Sequence, residues 1–320
     1  MNLRDLEYLV ALADHRHFGR AAAACFVSQP TLSTQLKKLE GELGAELIER
    51  GSRGVLLTAT GDQVVARARA MLGEADDIRS IATQARDPRS GTLRLGVFPT
   101  LAPYLLPHVM PALRSRFPQL ELLLVEEKTG ELLDQLHSGR VDAAVLALPV
   151  TSESLESVPL FREEFLLAVP RTHPLAQQDA PLTLAQLGST DLLLLAEGHC
   201  LRDQALAVCH TAGLRERDGF RATSLETLRH MVASGVGVTL MPELSVSPPV
   251  PAYDDITLRR LGPSAPYRDV GLLWRRGSVY RDLMSDLAES LRSVPGGLVT
   301  PAGEPTQGLP HNVAESRNRR

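Results

Sequence analysis

Two cysteines in the second half of the chain are the residues whose chemistry is easiest to recognise. Cys200 and Cys209 lie in a segment that follows an apolar, strand-like run over residues 191–197 and has the pattern of a starting helix. A thiol near a helix N-terminus faces unpaired N–H groups and the positive end of the helix dipole, and both favour the thiolate. We therefore expect Cys200 to be a nucleophile that reacts with oxidants.

The spacing of the two cysteines predicts that they cannot bond while this helix is intact. Nine residues of α-helix correspond to about 13.5 Å along the axis and about 180° of rotation around it. A disulfide requires Cα atoms within roughly 7 Å of each other. The two sulfurs could join only if the helix unwinds, so that oxidation of such a pair would act as a conformational switch.

Composition sets the frame for this chemistry. The chain has 320 residues, enough for two or three domains, with 43% hydrophobic residues and a net charge of −4, so any contact with nucleic acid must come from a local patch. Three cysteines are too few for a secreted disulfide framework, and neither a signal peptide nor a membrane span is evident. We expect a cytoplasmic protein without a membrane partner, whose cysteines are reactive rather than structural.

The first sixty residues have the pattern of short packed helices. Ser28 is a good N-cap, and Pro30 fits the first turn of the third helix. Small polar side chains at the start of that helix suit base-edge contacts, and the basic tip of a hairpin over 49–58 would touch phosphates or the minor groove. The alternative is a generic helical domain with a solvated basic face. The candidate DNA contacts are Ser28, Gln29, Pro30, Thr31, Ser33, Thr34, Gln35, Lys37, Lys38, Arg50 and Arg53.

A more specific pattern runs through the same segment. It comprises Ala21-Ala22, Ser28-Gln29-Pro30-Thr31-Leu32-Ser33, Leu36, Leu39-Glu40, Leu43-Gly44, Leu47, Arg50 and Leu57-Thr58-Ala59-Thr60-Gly61. This order resembles the winged helix-turn-helix of LysR-type transcriptional regulators. The resemblance implies a DNA-binding domain over residues 1–58 that contacts double-stranded promoter DNA, with residues 29–38 as its recognition helix. Cys25 falls on the second helix, where we expect a small buried apolar residue.

Residues 59–90 are predicted to form a linker helix and a hinge. The helix should run from Thr60 to about Ala85, before a linker-like stretch in which Pro88 ends it. Its apolar positions follow the 3.5-residue period of a coiled coil, which predicts a dimer that presents two recognition helices to two half-sites. The alternative is a helix packed on its own domain, and the family resemblance favours the dimer and implies a tetramer. The seam comprises Val64, Ala68, Met71, Ala75, Ile78 and Ala82.

From Thr92 onward, strands alternate with helices, which predicts an α/β fold with a parallel sheet. Two lobes, about 91–162 with 268–294 and about 163–267, resemble the periplasmic-binding-protein fold of LysR-type effector domains, so the predicted regulatory domain spans 91–294. A ligand or chemistry should sit in the cleft between the lobes. We expect the tail, 295–320, to be disordered because it has little apolar content.

Three segments of the regulatory half, over residues 98–107, 198–209 and 220–228, resemble the peroxide-sensing OxyR subfamily of these regulators. The resemblance implies that hydrogen peroxide oxidises Cys200 to a sulfenic acid, which condenses with Cys209 to a disulfide and alters promoter binding and the activation of antioxidant genes. It supports Thr100, His199 and Asp203 in peroxide positioning and proton transfer. Arg268 rests on a shorter match, over 267–272, as the cation that stabilises developing negative charge.

The expected partners are promoter DNA, hydrogen peroxide, a second copy of the chain, RNA polymerase and a cellular thiol reductant. We expect no cofactor, no metal ion and no enzyme activity, because one peroxide is consumed per switching event. A LysR-type regulator gated by a small metabolite between the lobes, with spectator cysteines, is the main alternative. A thiol peroxidase would have no use for a winged helix, and a metal site built from His199-Cys200 and Cys209-His210 matches no common zinc spacing.

Overall fold

The computed structural model describes residues 1–51, 54–84, 89–178, 180–187, 190–212, 215–217, 219, 221–262 and 265–302. The chain begins with three helices, a hairpin and a long helix. They are α1 (Leu3–His15), α2 (Phe18–Ala24), α3 (Gln29–Leu43), the antiparallel pair β1 (Ile48–Gly51) and β2 (Gly54–Leu57), and α4 (Ala59–Gln84).

Local signals fix the start and end of α3, the predicted recognition helix. The hydroxyl of Ser28 accepts a hydrogen bond from the backbone N–H of Thr31 at 3.3 Å, and Pro30 lies in the first turn. The helix ends at Gly44, whose φ of +66° favours glycine. Three of its four leucines form the core of this domain with residues from α1 and α2, and this core includes Leu9, Leu12, Ala21, Leu32, Leu36 and Leu39.

The linker helix α4 contacts both halves of the chain. Arg69 pairs with Asp14 of α1, and Asp77 pairs with Arg275 of the regulatory half at 3.1 Å. Only part of the predicted coiled-coil seam is available to a second copy of the chain. Ala68 is buried within the chain, while Met71 and Ile78 are 47% and 67% exposed. The helix ends at Gln84, and Pro88, which was predicted to end it, lies outside the described residues.

The regulatory half is an α/β domain. Its helices are α5 (Ala102–Arg116), α6 (Thr129–His137), α7 (Cys200–Ala212), α8 (Leu225–Ala233) and α9 (Arg281–Leu291). Its strands are β3 (Gly91–Val97), β4 (Leu120–Glu126), β5 (Ala143–Leu148), β6 (Leu155–Pro170), β7 (Asp191–Leu192), β8 (Arg215–Glu216), β9 (Thr239–Pro242), β10 (Ile256–Arg259), β11 (Tyr267–Arg275) and β12 (Thr300–Pro301).

One long strand joins the two lobes. The main sheet has the order β10-β6-β11-β5-β3-β4, with β3 parallel to β4 and β5, and β11 antiparallel to β5 and β6. The first part of the 16-residue β6 pairs with β11 and β12, and its last part pairs with β9 and β10. We call the part around β3–β5, α5, α6 and α9 the first lobe, and the part around β9, β10, α7 and α8 the second lobe. The predicted boundary at 162–163 falls inside β6.

Two strands of the regulatory half are shorter than the sequence pattern indicates. The strand-like run that begins at residue 191 gives only β7, which ends at Leu192, and β9 begins at Thr239 although the apolar pattern starts at Val236. Between them the chain makes only single bridges, such as Leu195 with Ala222, because neighbouring segments meet at isolated positions rather than along a ladder. Phe220 lies outside the described residues.

The sequence predicted that the tail is disordered from residue 295 onward, but the structure orders its first residues. Leu298 and Val299 pack against the core of the regulatory half, and β12 pairs with β6 through Thr300 and Pro301. Apolar burial and strand pairing therefore order the chain as far as residue 302, and residues 303–320 lie outside the described part. Among the described helices, none combines the length and the apolar character that a bilayer crossing needs.

Candidate functional site

The side chains that could take part in a reaction lie together at one edge of the sheet in the first lobe. Thr100 follows β3 and Thr129 follows β4, so both lie where neighbouring parallel strands end. The first residue of α7, Cys200, comes to this edge from the second lobe. The ends of parallel strands are the usual place for a ligand in α/β folds.

The guanidinium of Arg268 is the fixed centre of this site. The residue is 1% exposed, and its Nε donates to Glu163 Oε2 at 2.7 Å, while its Nη1 and Nη2 donate to the hydroxyl and carbonyl oxygens of Thr100 at 3.0 Å each. The other carboxylate oxygen of Glu163 accepts from the backbone N–H of Leu244 at 2.8 Å. Both buried charges are thus paired and hydrogen-bonded, which their burial requires.

The thiol of Cys200 is the group that this centre faces. Burial raises its pKa; the charge of Arg268 is the largest opposing influence, followed by the Thr129 hydroxyl, the Leu201 backbone N–H and the Thr100 hydroxyl. Burial thus opposes the thiolate that we predict for Cys200 at the start of α7, while Arg268 and the hydrogen-bonding groups around the sulfur favour it. The thiol is half-buried, and its surroundings are polar on the side of Arg268.

Two buried polar atoms on the helices that meet at the thiol are incompletely hydrogen-bonded. Among the described residues, the hydroxyl of Thr129 has no partner apart from the Cys200 thiol, and the amide oxygen of Gln204, one turn further along α7, has none. The Thr100 hydroxyl accepts from Arg268, so its own proton remains available to a neighbour. Unsatisfied buried polar groups are rare in native proteins, and hydroxyl groups beside the thiol that can still donate or accept are what a site for a small polar ligand requires.

Two further predicted residues lie at the entrance to helix α7, in different surroundings. His199 is 5% exposed, and burial together with the charge of Lys128 lowers its pKa, so that its imidazole is neutral near pH 7. Asp203 is exposed in the first turn of α7 and does not join the buried groups around Arg268. The adjacent Arg202 anchors this turn by two hydrogen bonds to Glu216, at 2.7 and 2.9 Å.

Both cysteines belong to one continuous helix. Cys209 is part of the backbone of α7, although its side chain lies outside the described part of the structure. Helical geometry therefore separates the Cα atoms of Cys200 and Cys209 by about 13.5 Å along the axis. Leu201, Ala205 and Val208 bury one face of this helix in the core.

The predicted DNA contacts that the structure describes lie on α3 and at its start. Thr31, Thr34, Lys37 and Lys38 are exposed, as are Ser28, Gln29 and Pro30 at the start of the helix, while Ser33 and Gln35 are half-buried. The backbone of Arg50 belongs to β1, its side chain lies outside the described part, and so does the whole of Arg53. Cys25 caps the end of α2 and is half-buried.

Two residues that complete the site around Cys200 have no recognisable signal in the sequence. Glu163 stands in a run of three charged residues that reads as a solvated surface, and its partner Arg268 is 105 positions away. Thr129 gave no signal beyond its place after a strand.

Phe26 is 95% exposed with a φ of +57° just before α3, where an apolar residue would be expected in the core. Within the described residues, no group of three or more His, Cys, Asp or Glu side chains could hold a metal ion.

Comparisons with known proteins agree with both halves of this architecture. Residues 3–62 match the model of the bacterial regulatory helix-turn-helix of the lysR family, and residues 86–295 match the LysR substrate binding domain. The chain is 50% identical over 293 residues, 92% of this chain and 95% of the relative, to the DNA-binding transcriptional dual regulator OxyR of Escherichia coli K12. It is 44% identical to the hydrogen peroxide-inducible genes activator of Haemophilus influenzae, over 93% of this chain and all of the relative.

Solved structures extend the similarity to three dimensions. A full-length OxyR variant from Pseudomonas aeruginosa superposes with a TM-score of 0.75 at 38% identity, covering 95% of this chain and 99% of that one. The reduced and oxidised forms of OxyR give TM-scores of 0.58 and 0.59 at 45% and 47% identity, each covering 65% of this chain and 97% of the other. The chain belongs to the LysR family of bacterial transcriptional regulators and, within that family, to the OxyR subfamily.

Proposed function

We propose that this chain is a DNA-binding regulator that senses hydrogen peroxide through Cys200 and resolves the product with Cys209. The observation that carries the proposal is the position of Cys200. Its thiol lies among Arg268, Thr100 and Thr129, while α7 holds Cys209 about 13.5 Å away along the same helix. Such a site can react with a small oxidant first and change its fold second.

The first step is the attack of the Cys200 sulfur on one peroxide oxygen. An S–O bond forms, the O–O bond breaks, and the departing oxygen leaves as water after it takes up a proton, so that a thiol and a peroxide become a sulfenic acid and water. The hydroxyls of Thr100 and Thr129 can hold the peroxide as donors and acceptors, and the charge of Arg268 stabilises the negative charge that develops. His199 and Asp203 are the candidates for proton transfer, the latter through water because it is exposed.

The second step couples chemistry to shape. The sulfenic acid condenses with the Cys209 thiol, which forms an S–S bond and releases a second water. Because the two Cα atoms must come within roughly 7 Å, the turns of α7 between them have to unwind. Leu201, Ala205 and Val208 then leave their places in the core, so the surface of the second lobe repacks between two discrete arrangements.

The rest of the chain carries this change to DNA. We assign residues 1–58 to DNA binding, 59–90 to the linker and hinge, and the regulatory domain to the residues from 91 onward, extended to 302. The exposed Met71 and Ile78 on α4 support a dimer, and a tetramer follows if the regulatory halves also pair. Contact with RNA polymerase then activates antioxidant genes. Cellular thiols in the cytoplasm reduce the disulfide and reset the switch. The mechanism needs no catalytic turnover.

Peroxide titration tests this proposal. Reduced protein treated with one equivalent of hydrogen peroxide should give a Cys200–Cys209 disulfide by mass spectrometry, together with a changed promoter footprint. Cys200→Ser should lose both responses, whereas Cys209→Ser should accumulate a sulfenic acid on Cys200 that a dimedone probe traps. A Cys200→Ser variant whose footprint still responds to peroxide would contradict the proposal.

A further inference from the structure

Lys128 spans the gap between the two lobes beside the thiol. It immediately precedes α6 in the first lobe, and its Nζ donates to the backbone carbonyl of Glu197 in the second lobe at 2.9 Å. Its aliphatic stem lies against Gly198, where a methyl group would stand 3.1 Å from the Lys128 Cδ atom. Gly198 has a φ of +88°, so this turn suits glycine for its backbone as well as for this close contact.

The next residue extends the same contact to the reactive sulfur. The hydroxyl of Thr129 is close enough to the Cys200 thiol to influence its ionisation. Two consecutive residues of the first lobe thus contact the turn 197–200 from its start to its end. Lys37, Lys38 and Lys128 are the only lysines of the chain, so Lys128 is the single lysine outside the DNA-binding half.

We propose that Lys128 is a positioning residue that ties the turn 197–199 to the first lobe in the thiol form and must release it when the disulfide forms. The inference rests on the proposed Cys200–Cys209 bond, which requires Cys200 to leave its place beside Thr129. A contact made only in the thiol form stabilises that form against the disulfide. One hydrogen bond from a charged donor at a partly exposed site corresponds to about a fivefold change in the thiol–disulfide equilibrium constant, or about 20 mV.

Redox titration of matched variants measures this contribution. Lys128→Met keeps the aliphatic stem but loses the ammonium, Lys128→Arg keeps a cationic donor, and Lys37→Met makes the same chemical change on the DNA-binding surface. In glutathione buffers of known potential, Lys128→Met should favour the disulfide about fivefold relative to the parent, while Lys128→Arg and Lys37→Met should remain close to the parent. An unshifted Lys128→Met equilibrium overturns the inference, whereas a parent chain that forms no Cys200–Cys209 bond contradicts the proposed function instead.

Two further measurements, an NMR titration and a chemical labelling, distinguish the positioning role of Lys128 from a simple packing role. The charge of Lys128 contributes to the lowered pKa of His199, after burial, so an NMR titration of the thiol form should give a higher His199 pKa in Lys128→Met and not in Lys128→Arg. Acetylation of the parent chain, followed by mass spectrometry, should label Lys128 faster relative to Lys37 after peroxide treatment than before it. Equal labelling in the two redox states, or a His199 pKa that does not change in Lys128→Met, would contradict the proposed role of Lys128.

Discussion

Replacing Arg268 with methionine tests whether its charge makes Cys200 reactive. Arg268 is the largest influence that lowers the pKa of the thiol, against the burial that raises it. An opposite charge a few ångströms away changes a pKa by about 1–3 units, so the thiolate fraction at pH 7 should fall at least about tenfold. The single variant also leaves Glu163 buried without its partner, and breaking such a pair costs about 3–5 kcal/mol of stability.

A second variant separates reactivity from stability. The double change Arg268→Met with Glu163→Gln removes both charges and retains an oxygen that can accept from the Leu244 N–H group. Urea unfolding should recover most of the lost stability, because the uncompensated charge is gone. The single-turnover rate of sulfenic acid formation, measured in a Cys209→Ser background, should nevertheless stay at least about tenfold below the parent. A stably folded double variant that reacts at the parent rate would refute this electrostatic role of Arg268.

Three further predictions follow from particular contacts. Ser28→Ala should destabilise the DNA-binding half by about 1 kcal/mol in urea unfolding, because α3 loses its N-cap; an unchanged midpoint would be inconsistent with that cap. Lys37→Ala should reduce the slope of log Kd against log salt by about one, as measured by titration with promoter DNA. Because burial raises the pKa of Cys200 and the thiolate is the reactive form, its oxidation rate should rise about tenfold per pH unit between about pH 6 and pH 8, in stopped-flow assays; a flat profile over that range would contradict this.

Local signals in the sequence predicted the elements that carry the function. Ser28 and Pro30 define the start of α3 by capping and by a preset backbone angle, and these effects need no distant partner. The start of α7 at Cys200 follows in the same way from the change from a strand-like run to a helical pattern. Both predictions depend on neighbours within a few residues, which is why sequence alone was sufficient.

The electrostatics of the redox site could not be predicted in this way. The partnership of Arg268 and Glu163 joins residues 105 positions apart, and Glu163 has the same local pattern as its half-buried neighbour Glu164. The pKa of Cys200 depends on the balance between burial and several groups from both lobes, and the sequence offered only the helix end. The order of residues 295–302 was missed because it comes from pairing with the distant strand β6.

The most direct test of the switch is hydrogen exchange of the α7 amides in each redox state. With the disulfide confirmed by peptide mapping, the amides between Cys200 and Cys209 should be protected in the thiol form and should exchange at least about tenfold faster once the bond is in place. A disulfide-bonded chain whose α7 amides remain as protected as those of the reduced chain would contradict the account, because the bond would then have formed without unwinding the helix.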